Sequence, residues 1–157
     1  MRRVRRSIGG DSVLMVVGPA IIQFHTYFEK PLLNHVKQST MRKNDKAWTR
    51  THNTTYENQL LARAWCGGRG VVLGHVLYDS FGDIDVSSLT DSDIQLEGFG
   101  REGGVKVENY PLLAKTLGDC KLPLAPHEFI KHILQLKTDT RATRITFKLF
   151  PFTTGKK

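Results

Sequence analysis

Two apolar, partly β-branched runs, residues 60–65 and 71–77, are separated only by Cys66-Gly-Gly-Arg-Gly70. Such runs joined by a glycine-rich turn predict a β-hairpin, and the hairpin commits the chain to a sheet. A phosphate cradle is the competing reading of the glycines. It needs a helix opening on Lys-Ser or Lys-Thr directly afterwards, and none follows.

The flanking segments supply further elements. Ile21-Ile-Gln-Phe24 reads as a first strand that begins after the breaker pair Gly18-Pro19. Phe28, Leu32, Leu33 and Val36 then recur at helical spacing, with Pro31 early enough to sit in a first turn, so the helix leads directly into Lys37. Residues 44–58 are polar and predict a loop lying over the site. At Leu89-Thr-Asp-Ser-Asp-Ile94 a helix start is expected. Thr90 is its N-cap, Asp91 and Asp93 face the positive end of the dipole, Leu89 staples to Ile94, Glu97 falls in the last turn, and Gly98 is the C-cap. Residues 127–136 show helical spacing, and Arg144-Ile-Thr-Phe-Lys-Leu-Phe150 alternates as a final strand. The order is α+β, with a small mixed sheet that can close into a barrel flanked by helices.

At 157 residues the chain suits one domain, expected over residues 21–150, between a flexible basic N-terminal arm (1–20) and a short tail (151–157). The head Met-Arg-Arg-Val-Arg-Arg and the apolar stretch after it superficially resemble a targeting sequence, but Asp11 and Pro19 interrupt the pattern. No apolar run approaches a bilayer span, which excludes a helical membrane protein. Cys66 and Cys120 form no metal-type cluster, and the six histidines, His25 among them, show no metal-ligand spacing. Reduced thiols, a cytoplasmic location and no cofactor are the expectation. The net charge of +8 calls for an anionic or nucleic-acid-like partner. Cations gather near both ends, while residues 79–108 are acidic, which points to a localised basic face.

The chemistry concentrates in Lys37-Gln-Ser-Thr-Met-Arg42. A lysine three residues before a hydroxyl and an arginine two residues after it can supply a base, a nucleophile and an anion anchor. A hydroxyl becomes nucleophilic only when a neighbour takes its proton, and a desolvated lysine can do so. The competing reading is a solvated basic turn after a helix. Trp48, in a polar segment beside basic residues, and His25, next to the first strand, are candidates for holding a substrate ring.

With these residues in place the chain resembles the ASCH domain family of the PUA-like superfamily. That family opens with a strand and a short helix, continues with Lys-x-x-Thr-x-Arg, and has a later helix introduced by Leu-Thr and ending near Glu-Gly-Phe. Here these are Ile22-Gln-Phe24, residues 28–36, Lys37 to Arg42, Leu89-Thr90 and Glu97-Gly-Phe99. Within the family the pattern is most similar to the small bacterial N4-acetylcytidine amidohydrolases. The resemblance implies Lys37, Thr40 and Glu97 as the catalytic group acting on an acylated nucleoside; Arg42, by its planar guanidinium, and His25 and Trp48, by their rings, are the residues expected to bind it. Three departures stand out: Asn34-His35-Val36 where family members carry glycine, a polar stretch from 43 to 59, and a longer segment from 100 to 126. Members of the family that bind or cleave RNA leave a second expectation open, an RNA-binding or ribonuclease-like module using the same basic cleft.

Overall fold

The computed structural model describes residues 2–8, 11–43, 45–67, 71–100, 103–136 and 141–152. Six strands form one mixed sheet in the order β1-β2-β4-β5-β6-β3: β1 Arg2–Ile8, β2 Asp11–Phe24, β3 Ser39–Lys43, β4 Leu61–Cys66, β5 Val71–Asp85 and β6 Arg141–Pro151. Only β2 and β4 run parallel; every other pair is antiparallel. The expected hairpin is present, with Leu61 opposite Leu77 and Cys66 opposite Val71. The final strand also forms and runs longer than its alternating core, from Arg141 to Pro151.

β5 and β6 are the spine. They pair along nearly their whole lengths, with a register shift between Tyr78 and Ser80. Extra residues of this kind bend and twist a strand. Gly74 sits where the two backbones approach closely: a Cβ there would collide with the Phe150 carbonyl oxygen.

Several expectations are corrected. The sheet is open, because β1 and β3 are its two edges and do not pair with each other, so the barrel does not close. The basic head, expected as a flexible arm, pairs antiparallel with the start of β2. Gly18-Pro19 does not begin the strand at residue 21. β2 runs through it, and the break is absorbed as a register shift between Val17 and Ile21, where the missing N–H of Pro19 is tolerated. The polar stretch expected as a loop is helix α2, Lys46–Glu57. Asp45 caps it by accepting from the Trp48 N–H, and the helix turns His52 and Thr55 into the protein while its other faces stay polar.

The remaining helices are α1 Glu29–Leu33, α3 Asp91–Leu96, α4 Pro111–Leu117 and α5 Pro126–Glu128. α1 follows a 3₁₀ turn, Thr26–Phe28, and is shorter than its apolar spacing suggests. α5 does not continue as α-helix through residue 136; it passes into a π-wound turn, Phe129–Leu134. α3 is capped as expected. Thr90 accepts from the Asp93 N–H, Asp93 reciprocates to the Thr90 N–H, and Gly98, at φ +104°, lets the chain leave the helix just after Glu97. The core lies between the sheet and these helices around Ile22, Leu32, Val76, Ile94, Phe99, Ile145 and Phe147. Among the described residues no helix is long and apolar enough to cross a membrane.

Candidate active site

The short path from α1 to β3 places the signature. α1 ends at Leu33, and His35 adopts φ +59°, the left-handed conformation that glycine takes without cost. His35 thus makes a tight turn of the kind that glycine makes without strain. The Val36 and Lys37 N–H groups both return to the Pro31 carbonyl at 2.9 and 3.1 Å. Next, Gln38 bridges two elements: its N–H donates to Leu96 at the end of α3, and its carbonyl accepts from Phe147 on β6. These two bonds bring Glu97 and β3 to the same corner.

Lys37 and Glu97, sixty residues apart, meet there with both side chains buried. The Lys37 Nζ donates to the Ser39 carbonyl at 2.8 Å, the Glu97 carbonyl at 3.0 Å and Glu97 Oε1 at 3.3 Å, which uses its three donors. It also stands 4.0 Å from the centroid of the Phe28 ring. Burial pushes the Lys37 amine down to about 8, against the opposing pull of the Glu97 carboxylate; the Arg42 cation lowers it further.

The other Glu97 oxygen is equally engaged. Ser39 Oγ donates to Oε2 at 2.6 Å and accepts from Arg144 Nε at 3.2 Å; Arg144 in turn pairs with Asp93 on α3 at 2.9 Å. Lys37, Glu97, Ser39, Arg144 and Asp93 therefore form one continuous polar chain linking α3, β3 and β6.

Thr40, one residue on, is turned toward a cleft of about 350 Å³ lined also by Lys37, Glu97, Arg42, Tyr27 and His25. Its hydroxyl accepts from Arg42 Nη1 at 2.6 Å, while Arg42 Nη2 is held by the Gln23 carbonyl of β2. Among the described residues no hydrogen bond joins Lys37 to Thr40. His25 stacks on Tyr27 at 4.1 Å between ring centroids and forms one wall. Burial lowers the His25 pKa and raises that of Tyr27.

Five of the six residues singled out from sequence, Lys37, Thr40, Glu97, Arg42 and His25, line this cleft. Trp48 does not. It lies on α2 against the His52 ring at 4.3 Å, and His52 Nδ1 is 2.6 Å from the Tyr78 hydroxyl. Burial, helped by the Arg42 cation, pushes His52 down to about 4, so this ring is neutral near pH 7. Sequence reasoning missed Ser39 and Arg144. Ser39 stands inside the signature and carried that signal; nothing local marks Arg144, which reaches Ser39 across 105 residues.

No family model matches the chain, and no curated protein matches it. Among solved structures it is similar to the crystal structure of a protein from Enterococcus faecalis V583 described under family DUF984. The two are 12% identical over 88% of this chain and 80% of that one, with a TM-score of 0.48.

Proposed function

We propose that the protein is an ASCH-like amidohydrolase that cleaves a small amide, such as the acyl amide of an N4-acylated nucleoside like N4-acetylcytidine. The observation that supports this most is the meeting of Lys37, Thr40 and Glu97 at one cleft with a lysine whose pKa is held near 8. An amine of that pKa is available as a base at neutral to mildly alkaline pH.

In this mechanism Thr40 Oγ attacks the acyl carbon and its proton passes to the neutral Lys37 amine, which turns from the Ser39 carbonyl toward Thr40 as substrate enters. Arg42, already donating to the Thr40 oxygen, lowers the cost of negative charge on it. The C–N bond then breaks and the departing amine takes its proton from Lys37. Water attacks the resulting threonyl ester, its proton going to Glu97; the ester C–O bond breaks, the Thr40 oxygen takes that proton back through Glu97, and the acid is released with Thr40 and Glu97 restored. Tyr27, Phe28 and His25 hold the ring of the substrate against the cleft wall. Incubation with N4-acetylcytidine, comparing the wild type with Thr40→Val and Lys37→Ala, tests the reading; a wild type that releases no acetate while a control hydrolase does would end it.

A second reading, an RNA-binding module, is favoured by one observation. The cations continue outward from the cleft through exposed Lys43 to exposed Lys46 and Arg50 on α2. Binding of single-stranded RNA through these groups falls steeply with salt, whereas turnover of a neutral nucleoside does not.

A further inference from the structure

A second cavity, of about 320 Å³, adjoins the cleft and shares His25, Tyr27 and Ile133 with it. The two differ in chemistry. Lys37, Arg42, Lys43 and Glu97 line the cleft; among the described residues no Asp, Glu, Lys or Arg side chain lines its neighbour. The outer cavity is instead walled by Tyr110, Pro111, Leu112, Leu113 and Ile133. Leu112, at its margin, is 81% exposed.

Two features build this cavity. Residues 110–116, within the segment longer than in the compact amidohydrolases, supply one wall. The π-wound turn supplies the other: Ile133 faces both cavities, while His132 and Gln135 face only the outer one. Turns of this kind are frequent at functional sites. A largely apolar cavity beside a polar reaction site, sharing His25, Tyr27 and Ile133 with it, suits the apolar part of a substrate whose reacting group lies in the polar part. Among the described residues phosphates find no lysine or arginine there, and an acetyl group is too small to pass His25 and Tyr27 and fill it.

We infer that the outer cavity is an acyl-chain subsite and that the substrate carries an alkyl or aryl acyl group larger than acetyl. This rests on the amidohydrolase reading for its orientation, with the carbonyl at Thr40 and the acyl tail directed past His25 and Tyr27.

The test separates the two. In the Thr40→Val variant, calorimetry with N4-acetyl-, N4-butanoyl- and N4-hexanoylcytidine gives dissociation constants without turnover. The expected result is tightening of about three- to four-fold per added methylene. A second change, Thr116→Phe on the exposed side of the cavity wall, removes that gradient by filling the space. Leu112→Gln, at a position too exposed to unfold the protein, weakens hexanoyl binding alone. A flat series, or a gradient that survives Thr116→Phe, overturns the subsite. Acetate release by the wild type with a flat series rejects the subsite and keeps the hydrolase; a graded series with no hydrolysis of any member keeps the acyl subsite and rejects the hydrolase.

Discussion

Ser39 and Thr40 are adjacent hydroxyls on one five-residue strand, and they sit in opposite surroundings. Ser39 is enclosed between Glu97 and Arg144 and belongs to the closed polar chain that joins α3, β3 and β6. Thr40 faces the cleft, its oxygen held by a single donor, Arg42. A strand sends successive side chains to opposite faces, so one short element carries both the scaffold and the hydroxyl proposed to react. The difference teaches that burial alone does not distinguish the two hydroxyls: both are almost fully buried, and what separates them is whether their neighbours are protein or open volume.

Turnover should break this comparison most sharply. Thr40→Val keeps the shape and removes the oxygen, so kcat/KM for an N4-acylcytidine falls by on the order of 10⁴-fold or more, as expected when a nucleophile is lost. Urea denaturation should find its stability within about 1 kcal/mol of the wild type. A Thr40→Val protein that retains a tenth of the activity would show that another group attacks.

Lys37→Ala belongs to the closed side and should damage both. It leaves the Glu97 carboxylate buried without its cation, a loss of about 3–5 kcal/mol when one partner of a buried pair is removed. The expected signature is a large drop in urea midpoint together with no turnover. If Lys37→Ala unfolds at the wild-type midpoint, the amine does not hold this corner together.

Ser39→Ala is the mirror of Thr40→Val. Glu97 Oε2 and Arg144 Nε each lose a partner, so stability falls by about 1–3 kcal/mol. Turnover should fall far less than in Thr40→Val, because Glu97 keeps its bond to Lys37. Measured side by side, the two variants should reverse their ranking between denaturation and kinetics.

How much of this was legible before folding depends on the range of the interaction. The hairpin and the capped helix Asp91–Leu96 rest on neighbours within a few residues, and both were readable. α2 was misread because its polar composition hid the spacing of Trp48, His52 and Thr55, which repeats every three or four residues behind the Asp45 cap. Lys37 and Thr40 were legible from their local spacing, Glu97 only through the resemblance; nothing local shows that Gln38 ties their two elements together. The role of Arg144 arises from β3 lying beside β6, a pairing between strands a hundred residues apart, and no window of sequence contains it.

The pH dependence sharpens the comparison from the electrostatic side. The Lys37 amine titrates near 8 in the folded protein against 10.5 for an ordinary lysine. Below about 8 it is charged in both states, and the folded protein bears the full cost of burying it. Between 8 and 10.5 the unfolded chain holds a proton that the folded chain gives up, so this group's contribution to stability rises with pH across that window. Activity that needs the neutral amine should rise tenfold per unit below about 8 and level off above it. Arg42 lowers the Lys37 pKa, so Arg42→Gln should move the inflection upward. A wild-type profile flat from pH 6 to 9 would remove Lys37 from the role of base.

The smallest effect lies at the turn that aims both regions. His35 holds φ +59° at a position where its side chain is exposed, so the conformation is set by the backbone on either side. Its N–H donates to the Leu32 carbonyl, and its own carbonyl accepts from the Gln38 side chain at 2.7 Å. Both bonds use main-chain atoms of His35 and survive any substitution. A left-handed residue with a Cβ costs roughly 1–2 kcal/mol that glycine avoids, while glycine gives back about 0.5–1 kcal/mol in unfolded-chain entropy. His35→Gly should therefore stabilise the protein by up to about 1 kcal/mol, and His35→Ala, which keeps the Cβ, should not. Equal gains from both changes in urea midpoint would trace the effect to the imidazole instead of the backbone, and the turn would no longer be the strained element that carries Lys37 and Thr40 into place.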